Sequence, residues 1–109
     1  MRIWDVPPGL LCWAHLLGEH RELHAVWTIL TEGKHGYVNH PETRRWQGKL
    51  AALFNRHEAL VAEMDRRDYR HASPLDPRLA TGESVQRDYV DPPEEQLRLL
   101  RAKGCGCRV

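Results

Sequence analysis

The stretch HLLGEHRELHAVW, residues 15–27, sets three histidines, two glutamates and an arginine into thirteen positions of an apolar pattern. Side chains of these types support two kinds of chemistry. Groups four residues apart on a helix, such as His15 and Glu19 or His20 and His24, can share a metal ion. HRELH departs from the zincin pattern, because its glutamate follows the first histidine by two residues rather than one. A carboxylate at the edge of a cleft can instead move a proton. The third outcome is structural: Glu19 pairs with an arginine of another helix, since a buried carboxylate left charged and alone is very costly.

Helical projection sorts these side chains. With His15 at zero and 100° per residue, Cys12, Leu16, Leu23, Val26, Trp27 and Leu30 fall between about 20° and 120°, the expected core face. Glu19 lies inside that arc at about 40°, while His15 and Glu22 flank it at about 0° and 340°. His20, Arg21 and His24 take the far side. His15, Glu19 and Glu22 therefore form one polar row along the edge of the core.

The elements that must hold this row are helical. A first helix is expected over residues 10–31, behind Pro7 and Pro8 and closed by the glycines of EGKHG. In a second, over about 41–67, Trp46, Leu50, Leu53, His57, Leu60 and Met64 recur at helical steps. His57 reads there as a core histidine with one hydrogen-bond partner, and Trp13, Trp27 and Trp46 read as core. The segment YRHASPLDPRLATGES is a long loop. A third helix starts after Asp91 with Pro92 and Pro93 and stops at Gly104. No segment alternates convincingly like a strand. The expected fold class is all-α, a compact single domain over residues 1–109 with three main helices and long irregular connections. Residues 104–109 read as a flexible tail, because Cys105-Gly-Cys107 without a second pair is a weak metal signal.

The bulk numbers exclude several classes. The chain has 109 residues, 41% hydrophobic and 28% charged, ordinary for one soluble domain. No apolar run reaches the roughly 18 residues of a membrane span, and MRIWDVPPGL lacks the core of a signal peptide. Three cysteines argue against a secreted disulfide framework. A cytoplasmic monomer is expected. The net charge of +1 makes no global case for nucleic acid, but residues 34–71 carry eight Lys or Arg against five Asp or Glu. Arg44, Arg45 and Lys49 fall at the start of the second helix, where the helix end favours anions, and form a candidate phosphate patch. Arg101 in the last helix is a further candidate.

Arg2-Ile3, followed by His15-Leu16, Glu19 and Arg21-Glu22-Leu23, resembles the N-terminal signature of the pyrimidine-dimer DNA glycosylases of the phage endonuclease V type. Weaker similarity continues through Lys49-Leu50, Leu53, Arg56, Leu60 and Ala62-Glu63 to about Tyr69, and Tyr89 to Pro92 is also similar. The resemblance implies a mostly helical enzyme that flips a nucleotide out of double-stranded DNA carrying a damaged or abasic site. The α-amine of the N-terminal residue attacks the sugar C1′, releases the base and leaves a Schiff base that undergoes β-elimination. It implies Met1 as nucleophile and Glu22 as the proton-transfer carboxylate. Arg2 and Arg21 are implied as DNA contacts, and His15 as lining the site. No metal or organic cofactor is expected.

The sequence departs from the family pattern at three places. Met1 stands where the phage enzyme exposes a threonine, although the nucleophile is the same backbone group. Ala25 replaces a DNA-contacting arginine, with His24 beside it as a weak substitute. The aromatic basic tail is absent. Two other readings remain: a DNA-binding module that has lost the reaction, and a metal-dependent hydrolase using His15 and Glu19.

Overall fold

Pro7 and Pro8 bend the chain into a 3-10 turn over Pro8–Leu10, and the first helix follows two residues later. The computed structural model describes residues 2–71 and 73–109. Helix α1 spans Trp13–Glu32 and ends at Gly33, whose φ of 65° is the left-handed closure a glycine tolerates.

The expected second helix is broken in two. Helix α2 is the short Pro41–Arg44, capped by His40 Nδ1, which accepts from the Glu42 N–H at 3.1 Å. Helix α3 spans Leu50–Arg66. Between them Gly48 turns the chain with a φ of 74°. Residues 81–83 close onto the break: the Ala51 and Ala52 N–H groups donate to the Thr81 and Glu83 carbonyls at 2.7 and 3.0 Å. Those are first-turn donors of α3, which has no side-chain cap, so the loop satisfies groups a helix cannot satisfy itself. A stripe at helical spacing carries no mark of this interruption, because Trp46 and Leu53 face the core on either side of it.

Helix α4 spans Pro93–Ala102, as the proline pair predicts. Among the described residues there is no strand, only one isolated bridge between Lys49 and Gly82. The fold is all-α, with α1, α3 and α4 as its main helices. None of the helices is long and apolar enough to cross a membrane.

Helices α1 and α3 pack on each other. Ile3, Leu16, Leu23, Val26, Leu53, Leu60 and Leu100 fill the space between them, residues 3–6 and α4. Trp27 and Trp46 join this core, but Trp13 is 64% exposed and corrects the expectation of burial: it is the first residue of α1 and points away from the packed face. Trp4 is buried. The segment expected as a loose tail is placed against the start of α1. The Arg108 N–H donates to the Leu10 carbonyl at 2.7 Å, and Cys107 and Val109 pack on the core.

Candidate active site and neighbouring clusters

Residues 2–6 are clamped from three sides. On α4, the Gln96 amide donates to Asp5 Oδ2 at 2.9 Å while its oxygen accepts from the Asp5 N–H at 2.7 Å. Arg45, just after α2, donates to the Ile3 carbonyl at 2.9 Å, and Arg56 of α3 donates to the Val6 carbonyl at 2.8 Å. Arg2 pairs with Asp91 at 2.9 Å and lies 5.0 Å over the Trp4 ring. A cleft of about 410 Å³ opens here, lined by Arg2, Trp4, Leu99, Ala102 and Lys103. Met1 lies outside the described residues.

The polar row of α1 splits into two environments. Glu19 is fully buried, and Arg56 grips it with two hydrogen bonds, Nε to Oε2 at 2.6 Å and Nη2 to Oε1 at 3.0 Å. Burial pushes the Glu19 carboxyl up, opposed by Arg56 and by the Trp4 N–H. The structural outcome anticipated for Glu19 is the one formed. A metal site shared by His15 and Glu19 is not, because both carboxylate oxygens are taken by Arg56. Glu22 sits one turn further along α1, half-buried, and its side chain forms no ion pair or hydrogen bond with any other described residue.

The phosphate patch read from the sequence needs correction. The Arg45 side chain is 6% exposed and is spent on Asp5, Glu42 and the Ile3 and Asp88 carbonyls. Lys49 is buried and bonded to Gln86 and Asp88. With the helix broken, both serve as internal struts. Arg44 remains exposed, as do Arg21 on α1 and Arg101 on α4, and none of the three forms an ion pair among the described residues.

Two clusters were not assembled from the sequence. In the first, His20 and His24 of α1 meet His57 of α3 and His71 of the loop after it. His20 Nε2 lies 3.2 Å from His24 Nε2 and 2.9 Å from His71 Nε2. His57 is fully buried; its Nδ1 meets the Glu58 carboxylate at 3.1 Å, and its Nε2 has no partner. His57 thus has the single hydrogen-bond partner expected, but also an orphaned nitrogen. Burial lowers His20 to about 4, with help from the neighbouring imidazoles, and lowers His24 as well. His24, expected to help at the DNA, is turned into this cluster.

In the second cluster, His15 Nδ1 lies 3.1 Å from Cys12 Sγ and 3.4 Å from Cys107 Sγ, with Cys105 alongside. The His15 ring also meets Trp4 edge-on at 5.8 Å. Burial pushes the Cys12 thiol up, but the backbone and side chain of His15 outweigh it and bring it down to about 6; burial takes Cys107 up to about 12. The sequence showed Cys105 and Cys107 as a pair, but it placed Cys12 on the core face and His15 in the polar row. What joins them is a 3-10 turn and a C-terminal docking that have no short-range signature.

The family model of the pyrimidine dimer DNA glycosylases matches residues 1–77, which takes in the clamped N-terminal segment, α1, α2 and α3. No curated protein and no solved structure matches the chain. With the match spanning the residues that carry Glu22 and Arg21, the chain belongs to the pyrimidine dimer DNA glycosylase family.

Proposed function

We propose that the protein is a DNA glycosylase with abasic-site lyase activity, acting on a damaged pyrimidine, with the Met1 α-amine as nucleophile and Glu22 as the proton-transfer carboxylate. The amine adds to the sugar C1′, the C1′–N bond breaks and the base leaves with a proton. Loss of a C2′ proton from the resulting Schiff base then expels the 3′ phosphate and nicks the strand. An α-amine has a reference pKa near 7.7–8.0 against about 10.4 for lysine, so far more of it is free to attack at neutral pH. A carboxylate nearby takes up protons and stabilises the cationic imine. Arg2, Arg21, Arg44 and Arg101 hold the phosphates on either side of the lesion.

The observation that carries this reading is the contrast between Glu19 and Glu22. Glu19 is sealed by Arg56, whereas Glu22, one turn away, is half-buried and free of partners among the described residues. A carboxylate kept uncommitted at the edge of the core suits a group that must exchange protons. The Trp4 ring meets His15 of α1 edge-on at 5.8 Å, so the segment around Trp4 lies against the helix that carries Glu22.

The test is strand nicking of two duplexes, one with a cyclobutane dimer and one with an abasic site, by wild type and Glu22→Gln. The expected result is nicking of both by the wild type. Glu22→Gln should lose nicking while folding and binding DNA as the wild type does. A Glu22→Gln protein that nicks at the wild-type rate contradicts the assignment. Nicking of abasic DNA alone would restrict the activity to the lyase.

A further inference from the structure

We propose that His20, His24, His57 and His71 form a tetrahedral site for a divalent transition-metal ion, zinc by preference, that bolts α1 to α3 and to the loop after it. The four ligand nitrogens all lie within 4.8 Å of one another. Tetrahedral zinc with bonds of 2.0–2.1 Å sets its ligand nitrogens about 3.3 Å apart. The 3.2 and 2.9 Å contacts of His20 Nε2 are close to that spacing.

Hydrogen bonding does not account for this convergence. One imidazole Nε2 offers either a single N–H or a single lone pair, so His20 Nε2 can satisfy His24 or His71 but not both. His57 Nε2 is buried with no partner at all, which is costly unless something fills the gap. A cation among the four lone pairs resolves both problems at once. The outer contact agrees. Glu58 accepts from His57 Nδ1, which fixes that ring with its Nε2 turned inward. Carboxylates orient metal-bound histidines in the same way. An all-imidazole set suits zinc, copper or nickel rather than magnesium or calcium. The site opens on a cleft of about 540 Å³ with Arg21 and Arg70 at its rim.

Cys12, His15, Cys105 and Cys107 carry a second site independently. Three sulfurs and one imidazole nitrogen lie within 4.8 Å, the donor set of a structural Cys3His zinc centre. The Cys12 N–H donates to Cys107 Sγ at 3.1 Å, as amides do to metal-bound thiolates, and Gly106 lies against Cys12 with room for little more than a methyl group. An ion here would fasten the C-terminus to the start of α1.

Both are tested on untagged, fully reduced protein by elemental analysis and by cobalt substitution. The expected wild-type content is two ions per chain. In Cys105→Ser/Cys107→Ser one ion remains, and cobalt gives tetrahedral visible bands without thiolate charge transfer. Adding His71→Ala, a half-exposed loop substitution, should remove that ion and weaken zinc binding more than about a hundredfold. In His71→Ala alone the thiolate bands should persist. A Cys105→Ser/Cys107→Ser protein that folds, by circular dichroism, but takes up neither zinc nor cobalt overturns the histidine site, as does unchanged binding after His71→Ala. Wild-type cobalt spectra without thiolate bands, or a Cys12–Cys107 disulfide in freshly isolated protein, overturn the cysteine site. Metal content is read without DNA, so neither result depends on the glycosylase reading.

Discussion

Arg56 reaches from α3 across to α1 and closes on Glu19 with hydrogen bonds of 2.6 and 3.0 Å, both side chains almost wholly buried. Its remaining nitrogen holds the Val6 carbonyl at 2.8 Å, so one guanidinium ties two helices to the N-terminal segment. Removing either partner leaves a buried charge alone. Arg56→Ala and Glu19→Ala should each cost about 3–5 kcal/mol in chemical denaturation. The double change Glu19→Leu/Arg56→Met should recover much of that loss, because well-packed apolar groups replace the pair without desolvating a charge.

Glu63 makes the fold sensitive to acid. Hydrogen bonds from Arg66 and Arg67 hold its carboxyl down at about 2, against an ordinary 4.5. Arg67 in turn donates to the Leu11 carbonyl at 2.7 Å, which ties α3 to the turn before α1. A depressed carboxylate contributes stability above its unfolded pKa and loses it as pH falls through the folded one. Wild type should therefore lose stability between about pH 4.5 and 2. Glu63→Gln should be less stable at neutral pH and show a flatter profile across that window, measured by thermal unfolding.

Arginines of like sequence context should behave differently. Arg21→Ala and Arg44→Ala, both at exposed positions, should each weaken binding to duplex DNA regardless of sequence and lower the salt slope by about one. Arg45→Ala should chiefly lower stability, because its side chain is buried among Asp5, Glu42 and the Ile3 carbonyl. Titrations over a salt series, paired with melting curves, separate the two outcomes.

Gly82 is the most closely packed of the glycines. Its φ is 82°, and a Cβ built there would meet the Gly48 carbonyl oxygen at 2.1 Å. Gly82→Ala must therefore strain the backbone, at about 1–3 kcal/mol, and push the loop off the start of α3 as well. Amide exchange should then speed up at Ala51 and Ala52, whose N–H groups this loop satisfies.

The apolar stripes of α1, α3 and α4 were legible in the sequence because helical period and proline placement are local signals. So was the fate of Glu19, since a carboxylate inside an apolar arc requires a partner. The break at Gly48 was not, because Trp46 and Leu53 keep their register across it. Arg45 and Lys49 then looked like surface cations, whereas the turn folds them inward against Asp5 and Asp88. The histidine cluster was half visible: His20 and His24 have ligand spacing, but His57 read as core and His71 as loop. Only the packing of α1 on α3 brings them within reach.

The central claim concerns the amine of Met1 and is tested most directly by trapping. Untagged protein is incubated with a duplex carrying one abasic site, and borohydride is added to reduce any imine. A covalent protein–DNA adduct is expected, mapped by peptide mass spectrometry to Met1 and lost when the α-amine is acetylated. An adduct mapped to Lys34, Lys49 or Lys103, or none at all while the duplex is still bound, contradicts the account.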